Sequence, residues 1–342
     1  MKRQQLVEIF KDRIIKGDLC QNNCLPTYDE LNNQFDASRA TLHFVLDQLK
    51  QDGYVVSVER KGIFRADNLP SRSRFALVFE SDDENQFWLK LAREAMMISR
   101  RDKSRQFEVY HSDNLEHEDS KKLLNRLDRR MIAGIFFFFR PTKGLTRKVF
   151  HDYPEVPTIF CEKYIEPTNG FWINLNSKSC VNKVMEYAKL QGAKKIGAIS
   201  KGDQALRYCF KDAAVRHGLE TRPEWIQAAP EKFLEAVVNL VKLLMAQGPE
   251  NRPDTLYITD DNLITLVQST LIEIGIKVPE DLKLICHYNF PDSSDTVLPV
   301  KKIGYDVRDI LNKGVDLVKD YYNNGGSSRH VTVDGKFDNE IV

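Results

Sequence analysis

Along residues 1–65 the apolar positions change period once, from helical to alternating. Met1 to Lys16 places Leu6, Ile9, Phe10 and Ile14 on one helical face. Leu25-Pro26-Thr27 opens a second, short helix, since Pro26 suits its entry and the Thr27 hydroxyl can take an orphan amide. Leu31 and Phe35 follow one turn apart on a single face. Asp36-Ala37-Ser38 breaks that pattern, and Ser38 caps a third helix running to about Asp52. The buried stripe of this helix is Leu42, Val45, Leu46 and Leu49, with Gly53 as its left-handed stop. Beyond Gly53 the period becomes two: Tyr54 to Val58 is a strand, Glu59 to Gly62 a turn, and Ile63 to Arg65 a returning strand. Two helices across a tight turn, followed by a hairpin, predict a winged helix-turn-helix, a shape that enters a DNA major groove.

Asp67 to Arg74 is polar, contains Pro70 and reads as a linker. After it, short apolar runs alternate with amphipathic helical stretches, the signature of parallel α/β sheets. Strands are expected at Phe75 to Phe79, Phe107 to Tyr110, Ile132 to Phe139 and Val156 to Cys161, and then at Lys195 to Ser200, Thr255 to Thr259, Leu282 to Cys286 and His330 to Val333. Helices fill the intervals, among them Lys178 to Leu190, Gln204 to His217, Phe233 to Met245, Leu263 to Ile274 and Asp306 to Tyr322. The fold class is therefore α/β: a winged domain over residues 1–67, a linker over 68–74, and a two-lobed domain with parallel sheets over 75–342. Lobe 1 is expected at about 75–160 plus 290–323, and lobe 2 at about 163–288 plus 328–342. Two such lobes with a cleft between them suit a small molecule held by hinge closure.

The N-terminal stretch resembles the GntR family of bacterial transcription regulators. Leu25-Pro26-Thr27, Glu30-Leu31, Ser38-Arg39-Ala40-Thr41-Leu42, Leu49, Gly53 and Lys61-Gly62-Ile63-Phe64 carry the resemblance. It departs from the family at Asp29 and His43, where Arg is frequent, and at Arg60, which replaces the first wing Gly. The implied DNA-facing set is Thr27, Ser38, Arg39, Thr41, His43, Arg60, Lys61 and Gly62, with Arg39 as the base reader.

Residues 75–342 resemble the effector domain of LacI/GalR repressors, which implies a periplasmic-binding-protein-like fold. The resemblance rests on Asn85-Gln86-Phe87-Trp88, Val156-Pro157 with Glu162-Lys163, Arg207-Tyr208-Cys209-Phe210, Thr259-Asp260-Asp261, and Gly275 to Asp281. Tyr288 and Asn174 stand where that family usually has Asp. The implied effector set is Phe87, Trp88, Glu162, Asn174, Arg207, Asp261 and Tyr288. Read from the residues, Arg207 supplies a five-donor fork for paired hydroxyls, and Asp261 supplies acceptors just past a strand end. Phe87 or Trp88 supplies an aromatic face. Each also has a plainer role: Arg207 as a solvated helix arginine, Asp261 as a helix N-cap, Phe87 as core.

Charge changes this picture little. The formal net charge is +1. Ten Lys and Arg are balanced by ten Asp and Glu up to Asp67. Non-specific DNA affinity should therefore be modest, and useful affinity should come from local placement and from dimerisation on a pseudo-palindrome. Cys20 and Cys24 are half of a zinc site with no second pair, so the six cysteines read as reduced thiols. No cofactor is expected, and no nucleophile elbow or phosphate-cradling loop points to an enzyme. No apolar run is long enough for a membrane span, and no secretory leader precedes the first helix. The expectation is a cytoplasmic, homodimeric repressor of carbohydrate-use genes, binding double-stranded operator DNA and a small effector, a sugar. The alternatives are a regulator with a non-sugar or empty cleft and, in another class, a solute-binding protein.

Overall fold

Thr27 and Ser38 begin the helices that the sequence pattern assigns to them. A computed structural model describes residues 3–80, 85–139, 144–161, 170–202, 205–230, 233–291, 296–326 and 330–341, and over 205–208 the backbone alone. The N-terminal domain comprises α1 (Arg3–Lys16), α2 (Tyr28–Phe35), α3 (Arg39–Asp52) and the antiparallel wing β1 (Val55–Val58) and β2 (Gly62–Arg65). Its core is Leu6, Phe10 and Ile14 against Leu31, Leu42, Val45, Leu46 and Leu49. Each such side chain contributes roughly 1.5–3 kcal/mol when fully buried. On α1 the buried set also takes in Val7 and Lys11, whereas Ile9 is only partly covered. The reason is tertiary: a second surface closes over α1.

The stretch expected as an open linker is packed instead. Pro70–Ser73 forms a short helix, α4, with Leu69 and Pro70 buried and the Arg72 guanidinium 3.8 Å from the centroid of the Tyr322 ring.

Lobe 1 begins with β3 (Arg74–Phe79), α5 (Gln86–Arg101), β4 (Gln106–His111), α6 (Glu118–Asp128), β5 (Gly134–Phe137), α7 (Leu145–Asp152), β6 (Thr158–Cys161) and β7 (Gly170–Asn176). The chain then enters lobe 2 with α8 (Ser177–Leu190), β8 (Ile196–Lys201), α9 (Ala205–Arg216), β9 (Ile226–Ala229), α10 (Ala236–Met245), β10 (Thr255–Ile258), α11 (Ile264–Glu273), β11 (Lys283–His287) and β12 (Lys301–Gly304). It returns to lobe 1 for α12 (Val307–Asn324) and β13 (His330–Asp334), and ends in lobe 2 with β14 (Lys336–Phe337).

The strand orders are β13-β7-β6-β5-β3-β4 and β14-β12-β11-β10-β8-β9. Every pairing is parallel except β12 with β14. In lobe 1 both sheet faces are covered, so the Phe run splits by alternation. Phe136 and Phe138 enter one core, Phe137 and Phe139 the other.

These orders move the expected lobe limits. The chain crosses near 176, 304–307 and 334–336, rather than at 160–163, 288–290 and 323–328. Two strands absent from the sequence reading account for the first two shifts. Residues 170–176 (β7) extend lobe 1, and 301–304 (β12) extend lobe 2. The third crossing moves because β13 pairs with β7 of lobe 1 rather than within lobe 2. At the second crossing the backbones pack closely: a Cβ on Gly304 would lie 1.7 Å from the Tyr288 carbonyl oxygen. Among the described residues no helix is long and apolar enough to cross a membrane.

Candidate DNA-reading surface and interlobe cleft

The start of each helix in the reading head is held by its own side chains. The Thr27 hydroxyl caps α2 and the Glu30 carboxylate returns to the Thr27 amide at 2.7 Å, a reciprocal capping box. Those bonds hold the Glu30 carboxyl below its ordinary value. Ser38 caps α3, its hydroxyl 3.0 Å from that of Thr41. Both hydroxyls thus shape the helix entry while Ser38 stays exposed.

Arg39 is exposed, with its guanidinium 5.8 Å from the centroid of the Tyr28 ring. His43, one turn further along α3, sits 3.1 Å from the Tyr28 hydroxyl through Nδ1. At the wing tip Arg60 takes a left-handed φ of 62°, the conformation for which glycine is the freer choice. Lys61 donates its amide to the Val58 carbonyl at 3.0 Å, closing the turn. The Leu25 amide donates to Ile63 and the Arg65 amide to Asn23, so residues 23–25 brace the second wing strand. Ser38, Arg39, Thr41 and His43 therefore line the first turns of α3, Thr27 caps α2, and Arg60, Lys61 and Gly62 form the wing turn.

The opposite end of this domain is seated on lobe 1. Lys11 Nζ lies 2.9 Å from Asp52 Oδ2, and both side chains are fully buried. Lys11 also donates to the Arg129 carbonyl at 2.7 Å, and the Arg129 guanidinium pairs with the second Asp52 oxygen. Arg130 pairs with Glu8 at 3.1 Å and with Asp12. The Tyr54 hydroxyl donates to the Arg130 carbonyl at 2.6 Å, and burial pushes its phenol up to about 12. An ionic and hydrogen-bonded seat thus joins α1 and the end of α3 to the corner between α6 and β5. None of these residues was singled out by the sequence reading. A charged side chain at an apolar helix position, Lys11, was the one available signal.

Between the lobes, Asp260 caps the turn after β10 by accepting from the Asn262 amide. That leaves Asp261 to accept from Asn289 Nδ2 at 2.9 Å. Burial raises the Asp261 carboxyl, and His287 beside it opposes the rise; burial likewise lowers the His287 imidazole. Both shifts run towards fewer charges in a dry site. The two lobes meet here: Asn262 Oδ1 accepts from the Gln86 amide at 3.2 Å, and Lys90 Nζ on α5 lies 5.5 Å from the Tyr288 ring centroid.

The predicted effector residues divide accordingly. Asp261 and Tyr288 lie at this junction, although Tyr288 is itself buried. Trp88 stacks on Phe79 and Phe87 meets Phe138 edge-on, so both pack against the lobe 1 core while remaining partly exposed. Asn174 is exposed on β7, in register with Thr332, and no hydrogen bond joins it to the Asp261 group. Glu162 and the Arg207 side chain lie outside the described residues. Lys90, His287 and Asn289 were missed. The available signal for the last two was their place, His287 ending β11 and Asn289 just beyond it, at a strand end where such sheets bind ligands.

Two family models match parts of the chain. The bacterial regulatory proteins of the gntR family match residues 2–64, and the periplasmic binding protein-like domain matches residues 185–334. The chain is similar to the arabinose metabolism transcriptional repressor of Geobacillus stearothermophilus, 20% identical over 322 residues, covering 88% of this chain and 86% of the relative. It is similarly related to the arabinose metabolism transcriptional repressor of Halalkalibacterium halodurans, 20% identical over 91% of this chain and 85% of that one. Among solved structures, a regulatory protein of the LacI family from Chloroflexus aggregans superposes with a TM-score of 0.61 at 13% identity, over 79% of this chain and 97% of that chain. A LacI family transcriptional regulator from Lactobacillus casei with bound glucose gives 0.56 at 16% identity, over 78% and 98%. The chain thus joins a GntR-type helix-turn-helix domain to a periplasmic-binding-protein-like α/β domain.

Proposed function

We propose that this protein is a cytoplasmic, sugar-responsive transcriptional repressor that binds pseudo-palindromic operator DNA as a homodimer. The observation that carries the reading is the seat of the winged domain on lobe 1. A reading head fixed to lobe 1 changes its orientation relative to lobe 2 when the two lobes close on a ligand. The two arabinose-metabolism repressors similar to most of the chain make a pentose the first effector to try. A free solute-binding protein has no use for the N-terminal domain.

Arg39, at the start of α3, reads bases, and Thr27, Ser38, Thr41 and Lys61 touch phosphates. In the cleft, Asp261 with Asn289 accepts and donates to ligand hydroxyls, Arg207 at the start of α9 adds its fork, and Phe87 or Trp88 offers a ring face. The effector alters operator affinity only through its differential affinity for open and closed lobes, typically about 1–3 kcal/mol of coupling. A DNA ligand selected from a random library serves as operator, titrated by fluorescence anisotropy with and without L-arabinose and a panel of other sugars. A five- to 150-fold change in affinity with one sugar is expected. Tight, selective DNA binding that no sugar alters would reject the sensing half of the proposal.

A further inference from the structure

Arg39, His43 and Asp47 follow one another at four-residue spacing on the exposed face of α3, away from the buried stripe Leu42, Val45, Leu46 and Leu49. Asp47 would repel phosphates, so base reading belongs to the two residues nearer the helix start. Tyr28, the first residue of α2, lies against both. Its ring centroid is 4.7 Å from that of His43, its hydroxyl is 3.1 Å from His43 Nδ1, and the Arg39 guanidinium stands 5.8 Å from its ring.

We propose that Tyr28 is a positioning residue for DNA reading: by donating its hydroxyl proton to His43 Nδ1, it holds His43 with Nε2–H facing outward, a donor that reads the N7 acceptor of a purine. This rests on the reading of the chain as a DNA-binding regulator.

The chemistry is directional. A neutral imidazole carries one proton, and the nitrogen that accepts a hydrogen bond leaves the other as donor. A phenol in ordinary pH donates to an imidazole nitrogen more readily than it accepts from one. Burial and the nearby Asp47 both raise the Tyr28 phenol, which keeps its proton in place. Without the tether, His43 would also populate the Nδ1–H tautomer, which turns an acceptor outward and matches adenine N6 or cytosine N4 instead. The same ring gives the Arg39 guanidinium a flat surface, so one side chain of α2 orders two readers on α3. Where the GntR pattern often has Arg at the position of His43, a single directed donor here takes the place of a five-donor fork.

The test uses the full-length protein and its selected operator, with 7-deazaguanine or 7-deazaadenine replacing each purine of one half-site in turn. In the unaltered protein, at least two purines should be sensitive: one read by Arg39, and one read by His43 that loses about fivefold in affinity, as expected for one hydrogen bond. His43→Ala should abolish the second sensitivity and leave the first. Tyr28→Phe keeps the ring and the fold but removes the hydroxyl, so it should reduce that sensitivity to twofold or less without changing the salt dependence of binding. Full N7 sensitivity at every position in His43→Ala would overturn the assignment of His43. Loss in His43→Ala with none in Tyr28→Phe would overturn the role of Tyr28. Failure of the protein to select any DNA sequence would instead overturn the regulator reading on which both stand.

Discussion

At the residue scale, Asp261 shows how a carboxylate can be freed from helix capping by its neighbour. Asp260 takes the capping bond of the following turn, so Asp261 need not, and it turns to Asn289. A buried acid whose value is raised carries an unfavourable charge at neutral pH. Asp261→Asn removes that charge while keeping a polar side chain of the same shape. The variant should melt no lower than the original at pH 7, while the sugar-induced rise in melting temperature should be largely lost. A full rise in the variant would remove Asp261 from the effector site. Tyr54 gives a second residue-scale expectation, in which the sign can be worked out. Its folded-state phenol, at about 12, lies above the ordinary phenol value of about 10. The folded protein therefore holds a proton that the unfolded chain releases between those values. Stability from this group is complete below pH 10 and falls as pH rises towards 12. Tyr54→Phe should cost about 1 kcal/mol at pH 8, from the bond to the Arg130 carbonyl. The difference in melting temperature between the two proteins should shrink from pH 10 upward. A difference that stays constant to pH 12 would mean that the hydroxyl is solvated.

At the scale of elements, the seat between α1, the end of α3 and the α6–β5 corner is the part most exposed to a single change. Lys11 and Asp52 are fully buried, and breaking one partner of such a pair typically costs about 3–5 kcal/mol, because the other charge stays uncompensated. Asp52→Ala should therefore destabilise by about that amount in thermal or urea unfolding. The double variant Lys11→Met with Asp52→Leu, which removes both charges and refills the space, should recover most of the loss. If the double variant is as unstable as Asp52→Ala, burial of the pair is not the source of the cost. Recovered stability need not restore function. With the ionic contact replaced by apolar packing, the winged domain should still bind DNA, but its response to the effector should weaken, because Arg129 then lacks its partner across the junction.

At the scale of the whole molecule, one winged domain reads few base pairs, and the balanced charge of this one gives little non-specific affinity. Two reading heads about 34 Å apart would meet successive major grooves on one side of the duplex. The expected assembly is a two-fold homodimer held by the α/β bodies. Sedimentation at micromolar concentration, with and without operator, should show twice the chain mass; a monomer in both conditions would contradict it. The chain passes between the lobes three times, near 176, 304–307 and 334–336, and the proposed closure would turn about these crossings. Because α12 lies in lobe 1 and Arg72 beside the winged domain packs on Tyr322 of that helix, movement of lobe 1 carries the reading head with it.

Local chemistry settled much of this protein within the sequence. Caps at Thr27 and Ser38, the stripe on α3, the stop at Gly53 and the change of period in the wing each depend on neighbours within a few residues, so they can be read from the chain alone. The parallel α/β character is legible for the same reason, from alternating apolar runs and amphipathic helices. Strand membership was decided elsewhere. Residues 301–304 begin with two lysines and become a strand only because β11 and β14 pair with them, and Gly170 to Asn176 falls in lobe 1 through β6 and β13. Lobe boundaries followed from those pairings, which join residues far apart in sequence and leave no local period. The seat on lobe 1 is of the same kind: nothing near Lys11 or Asp52 in the sequence names the one as partner of the other, and only the docking of two domains removes both side chains from water. The tautomer-setting contact of Tyr28 with His43 likewise depends on how α2 crosses α3. Residues close in sequence determine which elements form; contacts across the chain determine which of their side chains meet.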